Sequence, residues 1–149
     1  MVRQSLWAGF AVIVMATGSV RGQSLDDQEI CAKQAKVAFE GYYSGRGSTV
    51  KPISVNYRSR YNLKLNRCFV SIQTSDMVGN QIVTGAVLID AFERRIYASY
   101  SFTSPEPNKK YVGIGPQLSC VLAPLGQAQT HCSSKDEFDA FVAKYMKED

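Results

Sequence analysis

Residues 82–103 read IVTGAVLIDAFERRIYASYSFT, two apolar runs separated by a short charged segment. The first run, Ile82 to Ala91, is almost continuously apolar, which is typical of a buried strand. Glu93, Arg94 and Arg95 interrupt the apolar pattern, and Ile96 to Thr103 resumes it. This arrangement predicts an antiparallel β-hairpin at the centre of the fold.

Further strands are predicted on both sides of this hairpin. From Val55, apolar side chains alternate with polar ones, which is the period of a half-buried antiparallel strand. After Arg67 the apolar phase moves by one residue, which indicates a bulge or a turn near Asn66 and then a second strand. Asp76 to Asn80 predicts the turn before the hairpin, and Tyr111 to Leu122 predicts a last strand.

A helix is predicted at each end of the strand-rich region. Asp26 to Tyr43, with Ser24 as its N-cap, places apolar residues at helical spacing. These residues are Cys31, Ala35, Ala38, Phe39 and Tyr42. Near the C-terminus, Ser134 and Glu137 form a capping box ahead of a second apolar stripe. That stripe consists of Phe138, Phe141, Val142, Tyr145 and Met146.

The order helix, antiparallel strands, helix predicts an α+β fold. We expect an antiparallel sheet of four to five strands, with the N-terminal and the C-terminal helix packed on one face and the other face partly solvated. Residues 23–149 contain no Pro/Ser-rich linker and no internal repeat, so we expect them to form a single domain.

Residues 1–22 have the three parts of an export signal. Arg3 supplies a positive charge, Leu6 to Gly18 supplies an apolar run, and Gly22 offers a cleavage point before Gln23, with an alternative point after Gly18. The uncharged stretch is at the short end of the roughly 17 to 25 residues that span a bilayer, so cleavage is favoured over retention as an anchor, which stays open. The sequence predicts a periplasmic or secreted protein without stable membrane insertion after cleavage.

All four cysteines lie beyond this signal, and an oxidising compartment favours two disulfides. Of the three possible connectivities, Cys31 with Cys68 and Cys120 with Cys132 are favoured, because the first would link the first helix to a strand and the second would close a short loop. The chain has no CxxC pair, and its only histidine, His131, lacks the spacing of a tetrahedral zinc site. We therefore expect no metal site and no cofactor.

The segment YNLKLNRCFV, Tyr61 to Val70, resembles a stretch found in small exported bacterial proteins of unassigned function. The hairpin at Leu88 to Tyr97 and the helix at Glu137 to Tyr145 are loosely similar as well. This resemblance implies a bacterial periplasmic or secreted setting, and it implies no particular activity.

A second segment, QIVTG at residues 81–85, is similar to the Q-x-V-x-G loop with which cystatins enter the cleft of papain-like proteases. The inhibitory residues that this similarity implies are Gln81, Val83 and Gly85. The chain departs from the family pattern, because Cys31 and Cys68 precede the motif and the only tryptophan, Trp7, lies in the signal. A strand that begins at Gln81 is therefore favoured, and an inhibitory loop remains the alternative.

Charge is distributed unevenly, since six basic residues and no acidic one lie between Glu40 and Asp76. Alternate side chains of a strand lie about 6 to 7 Å apart, so a basic row on the polar strand face would offer donors to an anionic polymer or an acidic protein surface of the cell envelope. The candidate ligand-binding residues are Arg58, Arg60, Asn62, Lys64, Asn66 and Arg67. A solvated strand edge is the simpler interpretation of the same pattern.

Other classes of function are disfavoured. Nucleic acid is a poor partner, because no recognised motif is present and Tyr57 and Tyr61 share the inward strand phase. Catalysis lacks support, because no G-x-S-x-G elbow presents a serine to His131, and Asp90, the acid to watch, fits a strand end with solvent access. The sequence predicts an exported, non-enzymatic binding module with a basic strand face; a cystatin-like inhibitor is the alternative, and an enzyme is least favoured.

Overall fold

A computed structural model describes residues 20–45, 51–79, 81–104 and 117–147 of the 149-residue chain. The elements are helix α1 (Val20–Ser44), strands β1 (Lys51–Asn62), β2 (Arg67–Val78), β3 (Gln81–Asp90), β4 (Ile96–Ser104), β5 (Gln117–Leu122) and β6 (Thr130–His131), and helix α2 (Lys135–Met146). Residues 1–19 of the predicted signal lie outside the described ranges, as do residues 111–116 of the predicted last strand and Asn80 of the predicted turn.

The described strands form one antiparallel sheet, in which the spatial order β1-β2-β3-β4-β5-β6 is also the order along the chain. The fold is α+β, as predicted, but the sheet has six strands instead of four to five. The additional strand is β6, whose two residues pair with Val121 and Leu122. Two residues are too few to show a period of two, so the sequence pattern could not reveal this strand.

The predicted central hairpin is β3 and β4, which pair from Ile82 with Ser104 to Ile89 with Ile96. Asp90 holds the turn between them, because its Oδ1 accepts hydrogen bonds from the backbone N–H groups of Phe92 and Glu93 at 2.9 and 3.0 Å. Short acidic side chains stabilise turns in this way.

The β1–β2 connection corrects one prediction. β1 ends at Asn62, and Leu63 to Asn66 form the turn, so Lys64 and Asn66 do not continue the strand face. Asn66 has φ 51°, in the left-handed region that asparagine tolerates better than most residues, which ends the alternation at this point. β2 then extends to Val78, so Asp76 is a buried strand residue and not part of the predicted turn.

The two helices cover opposite faces of the sheet, which corrects the prediction that they share one face. On β2, Cys68 and Val70 are buried against α1, whereas the intervening Phe69 is buried against α2. On β3, Val87 belongs to the α1 face and Leu88 to the α2 face in the same way. Because both faces of these strands are apolar, each face needs its own cover.

The helices form where their apolar stripes indicate. α1 begins at Val20, earlier than predicted, so Ser24 lies inside it and is not the N-cap. The α1 stripe is buried or partly buried as predicted. Ser134 is the N-cap of α2, and its side chain accepts a hydrogen bond from the N–H of Glu137 at 3.2 Å. Neither described helix combines the length and the apolar character that crossing a bilayer requires.

Two disulfides connect the layers. Cys31 of α1 is bonded to Cys68 of β2, with their Cα atoms 5.3 Å apart. Cys120 of β5 is bonded to Cys132, just before α2, with a Cα separation of 5.1 Å. These are the two pairs that the sequence favours, and each fixes one helix to the sheet.

Candidate functional site

β1 lies at one edge of the sheet, and its side chains divide between the two faces. Tyr57 faces α1, where its ring stacks on that of Phe39 with the ring centres 4.4 Å apart. Asn62 faces α2, because its Nδ2 donates to the backbone oxygen of Tyr145 at 3.1 Å. Arg58 is an even number of residues from Asn62 and therefore points to the α2 face as well.

A shallow groove lies on this α2 face, beside Arg58. Arg58 is paired with Ser71 of β2, and Asn56 is paired with Gln73, so the four side chains lie on one face of two neighbouring strands. Together with Tyr57 they line a cavity of about 230 Å³, which we call the β1–β2 groove. A guanidinium, two amides and a hydroxyl therefore converge in one open site.

The charge of Arg58 is not neutralised by any carboxylate within the described ranges, and its side chain is exposed. Arg67 is different, since its Nη1 lies 2.8 Å from the Asp90 carboxylate and 2.7 Å from that of Glu93. The hydrogen bonds to Glu93 and then to Asp90 raise the pKa of the Arg67 guanidinium. Arg67, which follows the β1–β2 turn, thus ties that turn to the β3–β4 turn, whereas Arg58 faces solvent.

The remaining members of the predicted basic face do not form one surface with Arg58. Arg60 is half-buried and lies opposite Phe69 of β2. Asn62 is buried, and its Oδ1 accepts a hydrogen bond from the N–H of Leu65 at 3.0 Å, so both ends of its amide are used within the fold. Lys64 is exposed in the β1–β2 turn.

Asn66 occupies the last position of the same turn, where its Oδ1 accepts a hydrogen bond from the hydroxyl of Tyr61. This bond ties the turn to β1. The structure therefore leaves Arg58 as the open part of the predicted row, and it assigns Asn62, Asn66 and Arg67 to contacts within the fold.

The two residues considered for catalysis have local partners. Asp90 is buried, and its carboxylate accepts from Arg67 and from the two N–H groups of the β3–β4 turn. His131 is exposed on β6, with its Nδ1 3.3 Å from the backbone oxygen of Cys120. In the part of the chain that the structure describes, no group of three or more His, Cys, Asp or Glu side chains is placed to hold a metal ion.

The QIVTG segment forms the first half of β3. Residues 82–85 pair on one side with β2, from Met77 to Thr74, and on the other side with β4, from Ser104 to Ser101. Gln81, Val83 and Gly85 are half-buried within the sheet. The segment is a central strand with neighbours on both sides and is not an extended loop.

A second cavity of about 250 Å³ lies near the start of β4 and the end of β5. Its lining includes Ile96, Ser99, Val121 and Gln129, and none of its lining residues is charged. A recess without charged side chains offers no ion pair to fix the orientation of a ligand. The β1–β2 groove is therefore the better candidate site.

Sequence reasoning missed Ser71, Gln73 and Asn56 as groove residues. Asn56 belongs to the same alternating phase as Arg58, and Ser71 and Gln73 are the polar positions between the apolar residues of β2. The alternation indicates which residues face away from the α1 core, but not which strands pair or in which register. The chain matches no protein-family model, no curated protein and no solved structure, so no residue roles come from relatives.

Proposed function

We propose that this chain is an exported, disulfide-bonded binding protein that captures an anionic ligand in the β1–β2 groove and does not act on it chemically. Export is supported by the three-part pattern of residues 1–22 and by two disulfides, which form in oxidising compartments. The likeness of Tyr61 to Val70 to exported bacterial proteins favours a periplasmic or secreted bacterial setting.

Arg58 is the observation that supports anion binding. Its guanidinium is exposed, it makes no ion pair with a described carboxylate, and it shares a groove with the amides of Asn56 and Gln73 and the hydroxyl of Ser71. A guanidinium presents several N–H donors in a plane that matches a carboxylate or phosphate. The neighbouring amides supply further donors and acceptors that would orient such a group.

The same groove favours binding over catalysis. The side chains that converge in it on the α2 face are an arginine, two amides and a hydroxyl. None of these is a histidine or a carboxylate, the side chains that most often act as general acid or base at neutral pH. Ser71 has no described histidine beside it in the groove to take its proton, so the arrangement supports recognition of charge.

Charge reversal tests the proposal. The Arg58→Glu variant and the wild type are titrated with fluorescent poly-L-glutamate and with an alginate oligosaccharide, at about 50 and 200 mM NaCl, and the dissociation constants are compared. We expect Arg58→Glu to weaken binding at least tenfold, about 1.4 kcal/mol or more, and salt to weaken wild-type binding. If neither polyanion bound the wild type, or if wild type and Arg58→Glu bound with equal affinity, the proposal would be contradicted.

Two control variants make the result specific. Lys36→Glu changes the net charge by the same amount on the exposed side of α1, across the sheet from the groove, and should leave the affinity within twofold. Asn62→Ala removes the buried amide that joins β1 to α2, so it should lower the free energy of unfolding without changing the affinity.

A further inference from the structure

β1 has an unusual combination of length and position. It is 12 residues long, and in the sheet as described β2 is the one strand that pairs with it. At its far end the backbone N–H and C=O of Tyr61 bond to the side chain of Gln28 of α1, so the open stretch of this edge precedes Tyr61. In an antiparallel edge strand, alternate residues direct their backbone N–H and C=O groups away from the sheet, where another strand can pair with them. The β1–β2 groove opens directly beside these groups, because Asn56 and Arg58 belong to β1.

We infer that β1 accepts an extended peptide of another protein as an additional strand, and that this peptide carries acidic residues at alternate positions. The inference rests on the proposed anion-binding function and names its ligand class. Strand addition to a sheet edge is a general mode of peptide recognition, in which backbone hydrogen bonds supply affinity and alternate side chains supply specificity.

The alternation follows from the geometry of β1 around Arg58. Side chains directly opposite one another on paired strands have Cβ atoms about 4.5 to 5.5 Å apart on the same face. An acidic residue opposite Arg58 would therefore reach its guanidinium. The next acidic residue on that face, two positions along and about 6 to 7 Å away, would lie opposite Asn56, whose exposed amide can donate to a carboxylate.

The intervening peptide residues would face α1, where Tyr57 supplies an apolar surface. Tyr57 is 40% exposed, and its ring is held by stacking on Phe39, which is itself stacked on Tyr43. A ring that is already fixed loses little conformational freedom when a ligand covers it. The peptide that fits both faces of β1 therefore alternates acidic and apolar residues.

Charge also argues against a second copy of this chain as the added strand. If two β1 strands paired across their centres, the Arg58 side chains of the two copies would be brought close, and like charges on neighbouring strands are destabilising. Basic side chains on edge strands protect natural sheets from self-pairing in this way. The same charges favour an acidic strand.

Peptide isomers test this inference. The alternating peptide GEVEVEG and its block isomer GEEEVVG, both with blocked ends, have the same composition and net charge. Their dissociation constants for the full-length protein and for Arg58→Glu and Lys36→Glu are measured by fluorescence anisotropy. We expect the alternating peptide to bind at least tenfold more tightly than its isomer, Arg58→Glu to lose this preference, and Lys36→Glu to keep it.

Methylation of the peptide backbone tests strand pairing separately from charge, because it blocks N–H donors without changing the net charge of the peptide. In an added strand, only alternate N–H groups point toward β1. Two versions of the alternating peptide therefore carry N-methyl groups either on the glutamates or on the valines. One version should lose binding and the other should retain it. Equal effects of the two methylation patterns would overturn strand addition.

The outcomes also separate the inference from the function on which it rests. Equal binding of the two isomers would overturn the inference and leave anion capture intact. Arg58-dependent binding of alginate without binding of either peptide would identify an anionic polysaccharide as the ligand, which overturns the peptide assignment alone. If no peptide and no polyanion binds, the inference and the proposed function both fail.

Discussion

Tyr97 has a fully buried side chain whose hydroxyl has no hydrogen-bond partner among the described residues. Its ring packs edge-on against Phe69, with centres 5.3 Å apart, and lies 5.5 Å from the ring of Tyr145. Burial is the main cause that raises the pKa of this phenol. The ring stabilises the α2-side core, whereas the hydroxyl opposes that stabilisation.

Replacing Tyr97 by phenylalanine should raise the free energy of unfolding at pH 7 by about 1 kcal/mol, because it removes a buried polar group without changing the packing. The effect should grow above about pH 10, since the unfolded wild-type chain releases the phenolic proton there while the folded protein retains it. Urea unfolding of the variant and the wild type at pH 7 and at pH 10.5 gives the difference in the free energy of unfolding at each pH. A less stable variant would show that the hydroxyl has a favourable contact.

The candidate site shows what residue patterns can predict. The basic charge and outward phase of Arg58 were evident from the alternation in β1. The ion pair that neutralises Arg67 was not evident from the sequence. Its partner Asp90 is 23 residues away along the chain and lies beside it only because β2 pairs with β3. Whether a basic residue is open or neutralised depends on such tertiary pairs, which a single sequence does not show.

Two hydrogen bonds fix the start of helix α2. Ser134 accepts the N–H of Glu137, while Glu137 accepts the backbone N–H of Ser133 at 2.9 Å. The predicted capping box is thus present with one difference: the Glu137 carboxylate accepts from the N–H of Ser133 instead of the N–H of the N-cap Ser134. The bond to Glu137 N–H satisfies a group that the first turn of a helix leaves without a partner, and the bond from Ser133 ties the residue before the cap to that turn.

Ser134→Ala should lower the free energy of unfolding by about 1 kcal/mol, because the cap loses its acceptor. Ser133→Ala is the matched control: its backbone N–H bond to Glu137 survives, and only an exposed hydroxyl contact of 3.2 Å is lost. Urea denaturation of the two variants gives the difference. Equal losses would mean that the Ser134 side chain does not cap α2.

The elements themselves were more predictable than their arrangement. Helical and strand periods located both helices and the central hairpin, because these periods arise from local backbone geometry. Placing both helices on one face was wrong, although a relevant signal was present. The nearly continuous apolar run Ile82 to Ala91 is typical of a strand covered on both faces, and Val87 and Leu88 indeed face different helices.

For the whole molecule, the disulfides are the strongest cross-links between helices and sheet. The Cys31–Cys68 bond spans 37 residues and the Cys120–Cys132 bond spans 12, so chain-entropy estimates give about 4 and about 3 kcal/mol, respectively. Replacing both Cys31 and Cys68 by alanine should lower the free energy of unfolding more than replacing both Cys120 and Cys132. Urea denaturation measures the two losses. A larger loss from the shorter loop would show that chain entropy does not set the order.

The strand order has a consequence for how the chain acquires its structure. Because every strand pairs with the one before it, the sheet can grow strand by strand as the polypeptide emerges, without any strand having to insert between two others. The α2 face is different, since Asn62 bonds to Tyr145, 83 residues later. That face stays uncovered until α2 has been delivered, so its core closes only after the whole sheet is available.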